Sequence, residues 1–286
     1  MAQRALGNVD GDETTLESHF AFGENWADFA QLIDEDRLRA ATDGLLRLLA
    51  GRDLKNKRFL DIGCGSGLHS LAALTLGASE VFAIDLDPRS VDTTRSLLAR
   101  HAPDSRYRVD EVSVFDLEPN QVGQFDVVYS WGVLHHTGDM LNAIRRAAAM
   151  VKNDGSFLVA LYRRTWLCGF WKVEKRWYSR ASERAQSWAS RLYTALFAMG
   201  LWATGRTLRG YDAECAKKAR GMNVKHDTHD WLGGYPYESI SSGDVDALMR
   251  ELGFTPCKSF VREGLISRVG IFGSGCDEYH YRRLKP

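Results

Sequence analysis

Arg58-Phe59-Leu60-Asp61-Ile62-Gly63-Cys64-Gly65-Ser66-Gly67 decides the fold, and Ala83-Ile84-Asp85-Leu86-Asp87 completes the reading. Arg58 to Ile62 is a short apolar run that ends in glycines, which reads as a buried strand entering a tight loop. Glycines at 63, 65 and 67 let the backbone turn sharply and approach a ligand with no Cβ in between. Leu68 to Leu76 then reads as a helix stopped by Gly77, and Val81 to Ile84 as a second strand ending at Asp85. Strand, glycine loop and helix in this order suit a nucleotide-bearing ligand. A dinucleotide fingerprint would need a third glycine where Leu68 stands, and a P-loop would need a Lys followed by Ser or Thr. Neither is present. Asp61 at the end of the first strand would repel a pyrophosphate and suits a ligand carrying positive charge. Asp85, at the tip of the second strand, is placed to accept hydrogen bonds from a ribose diol.

Working outward, the alternation continues. Ser90 to His101 reads as a helix, Tyr107 to Phe115 as a strand and Phe125 to Ser130 as a strand. Met140 to Val151 reads as a helix and Phe157 to Tyr162 as a strand. This spacing implies βαβ units in a parallel sheet, with ligands at the carboxyl ends of the strands. Ser242 to Leu252 is a further helix, and Cys257 to Glu263 and Arg268 to Gly273 read as an antiparallel hairpin turning at Leu265 to Ser267. The expected fold is α/β: a doubly wound, seven-stranded, mostly parallel sheet with a C-terminal antiparallel hairpin and a helical cap insertion. Residues 1–15 read as flexible, 16–57 as an N-terminal helical segment, 58–164 and 238–286 as the core, and 165–237 as the cap.

F-L-D-I-G-C-G-S-G followed by A-I-D-L-D resembles the first two motifs of the Rossmann-like, class I S-adenosylmethionine-dependent methyltransferases. Tyr129 to His136 resembles the post-strand-four loop of their small-molecule branch, which includes ubiquinone-biosynthesis-type O-methyltransferases. The likeness covers roughly Arg58 to Tyr162. It implies S-adenosylmethionine as cofactor and S-adenosylhomocysteine as product. It also implies that Asp61, Gly63, Cys64, Gly65 and Gly67 face the methionine moiety and that Asp85 holds the ribose. Leu86, Ser113 and Val114 would then border the adenine, and Ser130 and Trp131 would close over the methionine end.

Methyl transfer needs an aligned nucleophile, a proton acceptor and exclusion of water. His136 and His135 are the first candidate bases, followed by His229 and His226 in the dense stretch Met222 to Glu238, which reads as a lid connection hinged at Gly233-Gly234. Packing roles compete with catalysis for all four. Phe22, Trp26, Trp166, Tyr235 and Tyr237 are candidate acceptor-site residues. The aromatics from Trp166 to Trp202 read as a docking stripe or as a cap over an apolar pocket. Arg163, Arg164, Lys172, Lys175, Arg176 and Arg180 read as a solvated helix face, with an anionic substrate or an acidic membrane surface as alternatives.

Bulk properties narrow the class. Lys plus Arg and Asp plus Glu both total 37, so no basic surplus points to nucleic acid. Cysteines 64, 168, 215, 257 and 276 form no CxxC pair, and no metal site is expected. The first twenty residues carry no apolar signal core and no run is long enough to span a bilayer, so the expectation is a cytoplasmic protein without stable membrane insertion. The expected function is methylation of a small molecule, on oxygen first and on nitrogen or carbon as alternatives. An RNA methyltransferase lacks a basic module here, and N-P-P-[YF] is replaced by Ser130-Trp131-Gly132-Val133. A non-catalytic cofactor-binding protein is the rival from outside enzymology. Oligomeric state is not readable.

Overall fold

The computed structural model describes residues 22–211, 213 and 224–285. Helices α1 (Phe22–Ala30) and α2 (Glu35–Leu49) lead into strand β1 (Arg58–Ile62). Then follow α3 (Leu68–Thr75), β2 (Glu80–Asp85), α4 (Pro88–His101), β3 (Tyr107–Glu111), α5 (Pro119–Val122) and β4 (Phe125–Trp131). Next come α6 (Met140–Ala149), β5 (Val151–Tyr162), α7 (Cys168–Arg180), α8 (Glu183–Ala203) and α9 (Val224–Gly233). The last elements are α10 (Ser242–Glu251), β6 (Phe254–Phe260), α11 (Leu265–Val269) and β7 (Cys276–Arg283).

Local chemistry sets these boundaries. The Asp34 side chain accepts from Arg37 N at 2.9 Å and starts α2. Asp87 caps α4 by accepting from Arg89 N at 2.8 Å, with Pro88 pre-shaped for the first turn. Asp139 and Ser241 cap α6 and α10 in the same way.

Seven strands form one sheet in the order β3-β2-β1-β4-β5-β7-β6. Strands β1 to β5 are parallel, while β7 runs antiparallel between β5 and β6. The strand order reverses between β1 and β4, so their carboxyl ends diverge and leave a crevice. Both faces are covered. Leu60, Ile62 and Val128 pack with Ile144 of α6 and Met249 of α10, whereas Phe59, Val127 and Tyr129 pack with Leu45 of α2 and Leu71 of α3. Continuous burial along β1 and β2 is the signature of such a sandwiched parallel sheet.

The structure corrects the C-terminal hairpin. Residues 265–267 lie in the short helix α11, and the partner of β6 is β7 at 276–283, not Arg268 to Gly273. Val269 and Ile271 imitate a strand, but Gly264, Gly270 and Gly273 have φ of 109°, 73° and 108° and break extension. The true strand is masked by polar residues that find buried partners: Asp277 pairs with Arg163, and His280 Nε2 lies 2.9 Å from Ser156 Oγ. In the insertion, the expected lid connection contains helix α9, and a third apolar cluster of Tyr162, Trp171, Tyr178, Leu232 and Tyr237 ties the cap to the end of β5.

Candidate active site

A cavity of about 1410 Å³ opens at the carboxyl ends of β1, β2 and β4 and runs under the cap. Its first end is the glycine loop. Gly63 and Gly65 adopt φ of 75° and 53°. A Cβ on Gly63 would strike Val133 at 2.3 Å, and one on Gly65 would meet the Trp26 ring at 3.1 Å. The loop is therefore clamped between the post-β4 segment and α1.

Asp85 organises this end. Its carboxylate accepts from Gly65 N at 2.9 Å and from Asp87 N at 3.0 Å, and burial lifts its pKa to about 6. Asp61 is 2% exposed; burial lifts it to about 7, opposed by the Ser70 hydroxyl donating to it at 2.6 Å. Asp61, Cys64, Leu86, Ser113, Val114 and Trp131 all line the cavity. Gly67 contributes through its turn, its N–H donating to Cys64 O at 2.8 Å. Ser130 stands apart: it is fully buried, and its hydroxyl donates to Ile62 O at 3.1 Å, pinning β4 to β1. Trp131 Nε1 donates to Glu278 at 2.9 Å, a contact that crosses from β4 to β7.

The four histidines separate. His136 lines the cavity, and its Nδ1 lies 2.7 Å from Pro236 O. A carbonyl only accepts, so Nδ1 carries the proton, which leaves Nε2 as the nitrogen that would accept in the neutral form of the ring. His135 is fully buried behind it, its ring tilted against that of Tyr162 with centroids 3.8 Å apart, and Nδ1 accepting from Tyr162 N at 3.2 Å. Burial holds His135 well below the usual histidine range. His229 turns toward Tyr178, its Nδ1 3.1 Å from that hydroxyl, and does not line the cavity. His226 lies on α9 with its side chain outside the described residues.

Acceptor-site candidates divide likewise. Trp26 lines the cavity, and Phe22 lies on α1 with its side chain outside the described residues. Trp166 is 74% exposed and points away. Tyr235 and Tyr237 are buried in the supporting wall, the Tyr237 hydroxyl donating to Cys168 Sγ at 3.2 Å. Gly234 packs its backbone on His136, where a Cβ would approach Cε1 to 2.6 Å. A side chain at 234 would therefore collide with the His136 ring.

Tyr162, Asp230, Trp231, Tyr193 and Phe197 line the far end; the last four fall within the stretches read as a lid connection and a cap, whereas Tyr162 carried no such expectation. Glu238 accepts from Met140 N at 2.8 Å and serves α6 rather than the site. Lys175, expected on a solvated face, is fully buried with Nζ 3.6 Å from the Trp231 ring centroid. Burial pulls its ammonium down to about 7. Among the described residues no cluster of His, Cys, Asp or Glu could hold a metal.

This fold and glycine loop define a class of nucleotide-cofactor α/β domains. Residues 33–231 match the methyltransferase domain family, and the chain belongs to it. It is 36% identical over 154 residues to the ubiquinone biosynthesis O-methyltransferase of Xanthomonas campestris pv. campestris, covering 54% of this chain and 62% of that protein. The match thus spans less than two thirds of the relative's length. Among solved structures, a putative S-adenosylmethionine-dependent methyltransferase from Listeria monocytogenes shares the fold at a TM-score of 0.52 and 16% identity, covering 86% and 99% of the two chains. The 1,6-didemethyltoxoflavin-N1-methyltransferase of Burkholderia thailandensis shares it at 0.51 and 17%, covering 99% and 94%.

Proposed function

We propose that this chain transfers a methyl group from S-adenosylmethionine to an oxygen of a small-molecule acceptor. The observation that carries the reading is the Gly65 N–H held on Asp85 at one end of a cavity whose other part presents His136. The residues fit that cofactor. Asp61, Asp85 and Asp87 make the loop end acidic, which favours a sulfonium and an ammonium over a pyrophosphate. The Asp85 carboxylate would accept from the ribose hydroxyls, Leu86 and Val114 would sandwich the adenine beside Ser113, and Asp61 with the glycine loop would face the methionine end. Trp131 would border that end, whereas Ser130 would act only through its strand bond. When bound, the cofactor supplies an electrophilic methyl carbon.

The chain's own part is alignment, desolvation and proton removal. His136 Nε2 would accept the acceptor's proton, its ring held by Pro236 O. Trp26, Tyr162 and Trp231 would wall the acceptor and exclude water. His135 would hold its ring and the β5 end in place. The O-methyltransferase activity of the Xanthomonas relative favours oxygen; nitrogen is the alternative, in keeping with the Burkholderia N-methyltransferase. The balanced charge favours a metabolite over nucleic acid.

Calorimetry with S-adenosylmethionine, S-adenosylhomocysteine and NAD tests the cofactor, and radiolabelled methyl transfer to phenolic and amine acceptors tests the reaction. Asp85→Ala should weaken S-adenosylhomocysteine by about 1.5–3 kcal/mol per lost hydrogen bond. Preference for NAD, or unchanged affinity in that variant, overturns the assignment.

A further inference from the structure

Helix α8 has two apolar faces, and among the described residues only one is used inside the molecule. Tyr193, Phe197 and Leu201 point inward and line the cavity. Trp188, Leu192, Leu196, Met199 and Trp202 point outward, 64%, 44%, 45%, 58% and 80% exposed. Their spacing of three and four keeps them on one stripe for about 21 Å. From Leu192 to Ala203 the helix carries no charge at all. A helix that merely roofs a cavity needs one apolar face and a polar one. An outward stripe of this size on a folded domain marks a contact surface.

Charge selects the partner. Between Arg164 and Tyr211 the chain carries nine Lys or Arg residues against two Glu, although its total is balanced at 37 against 37. Arg184 and Arg191 are exposed on α8, four residues before and three after Trp188. Lys172, Arg176 and Arg180 are exposed on α7, which also shows Phe170, Val173 and Trp177 to solvent. Tryptophans and aliphatics bordered by arginines are the composition that lies in a headgroup boundary. A second copy would set cationic rims against each other, and the aliphatic middle of the stripe, Leu192, Leu196 and Met199, offers RNA no hydrogen-bonding group. No helix of the described residues is long and apolar enough to cross a membrane, and the inner face of α8 is committed to the cavity wall.

We propose that the outer face of α8 docks on the surface of an anionic lipid bilayer. Trp188, Leu192, Met199 and Trp202 enter the headgroup boundary while Arg184 and Arg191 meet lipid phosphates. Docked in this way, α8 separates the acceptor chamber from the bilayer by one helix diameter, which suits an acceptor that partitions into lipid. That suitability rests on the proposed methyl transfer; the docking itself does not.

Co-sedimentation of the full chain tests the surface, using vesicles of phosphatidylcholine alone and of phosphatidylglycerol with phosphatidylcholine at roughly 3:7. Binding is expected on the anionic vesicles and should fall with added salt. Trp188→Ser combined with Trp202→Ser should lower it about tenfold or more. Arg184→Gln and Arg191→Gln should each lower it about fivefold. All four side chains are exposed, so S-adenosylhomocysteine affinity by calorimetry should match the unsubstituted chain and reports folding. No binding to anionic vesicles overturns the proposal, as does binding indifferent to the tryptophan pair. A dimer that Trp202→Glu dissolves, in the absence of vesicle binding, gives the face to a second copy and also overturns it. Vesicle binding with no cofactor binding would retain the docking face and remove the methyl-transfer reading.

Discussion

Asn25 Nδ2 donates to Asp230 Oδ1 at 2.7 Å, joining α1 to α9 across 205 positions of sequence. The next residue on each side belongs to the cavity: Trp26 lies against Gly65, and Trp231 lines the far end. At its own N-terminus α1 is tied to the cofactor end as well, through Gly23 N donating to Asp87 Oδ2 at 2.9 Å. Helix α1 is thus a strap between the glycine loop and the cap.

Asn25→Ala should loosen that strap. The net loss is about 0.5–1.5 kcal/mol, enough to raise the local opening of α1 several-fold without unfolding the sheet. Amide exchange over residues 22–30 should quicken while β1 and β4 stay protected. Unchanged exchange would mean that the bond contributes nothing to closure.

The neighbouring histidines should respond differently to the same change. His136→Gln is expected to reduce kcat by about 10²–10⁴-fold with cofactor affinity nearly constant, provided the acceptor is an alcohol or ordinary phenol. His135→Gln disturbs a fully buried ring packed against Tyr162 and should appear mainly as a lowered melting temperature. If both variants turn over at native rates, alignment and desolvation suffice without a side-chain base.

Asp61 makes cofactor binding pH-dependent. Its carboxyl is lifted to about 7 against an ordinary 3.8, so near pH 6 the empty site is largely protonated. A cationic ligand favours the carboxylate, so binding should release a proton and affinity should rise with pH up to about 7, then level. For stability the sign is opposite: a raised folded pKa contributes stability below the unfolded value that is lost as pH rises through about 7. Calorimetry in two buffers of different ionisation enthalpy reads the proton directly. Asp61→Asn should flatten both slopes near pH 7 and leave the part that Asp85, lifted to about 6, contributes at lower pH, and a pH-independent native affinity would contradict this account.

Fully buried Lys175 and half-buried Glu174 interact electrostatically without a hydrogen bond between them, and their removal should stabilise the fold. Burial lowers the amine to about 7 from 10.5, so its penalty is full below that pH and fades as pH rises toward 10.5. Lys175→Met with Glu174→Gln should raise stability at pH 7 by about 1–4 kcal/mol, and the gap should narrow in alkaline solution. Denaturant melts at pH 7 and 9.5 decide it. A destabilised double variant would assign the lysine a structural partnership with the aromatic rings around it.

The β1–loop–α3–β2 unit was legible because its signals are local: glycines where φ is positive, an aspartate at each strand end, a capping Asp87 before Pro88. The hairpin was misread because β7 hides its pattern in polar residues whose partners, Arg163 and Ser156, lie over a hundred positions away. Ser130 shows the same limit at the site. Its position in the motif was plain, yet its hydroxyl turns to Ile62 O instead of the cavity. Tyr193 and Phe197 could be read as aromatic spacing on a helix, but which face of α8 looks inward depends on how the cap seats. Lys175 was misplaced for that reason too.

The antiparallel placement of β7 between β5 and β6 governs how the chain can be made. Among the described residues β6 has its only sheet neighbour in β7, and β7 is synthesised after it. On a ribosome, β1 to β5 can pair as they emerge, while β5 keeps a bare edge and β6 waits. The interval between Phe254 and Arg283 is therefore when the nascent chain is most open to chaperones or to sticking to its neighbours. Slow codons there would lengthen the exposure, whereas slow codons before β6 would let the parallel half settle first.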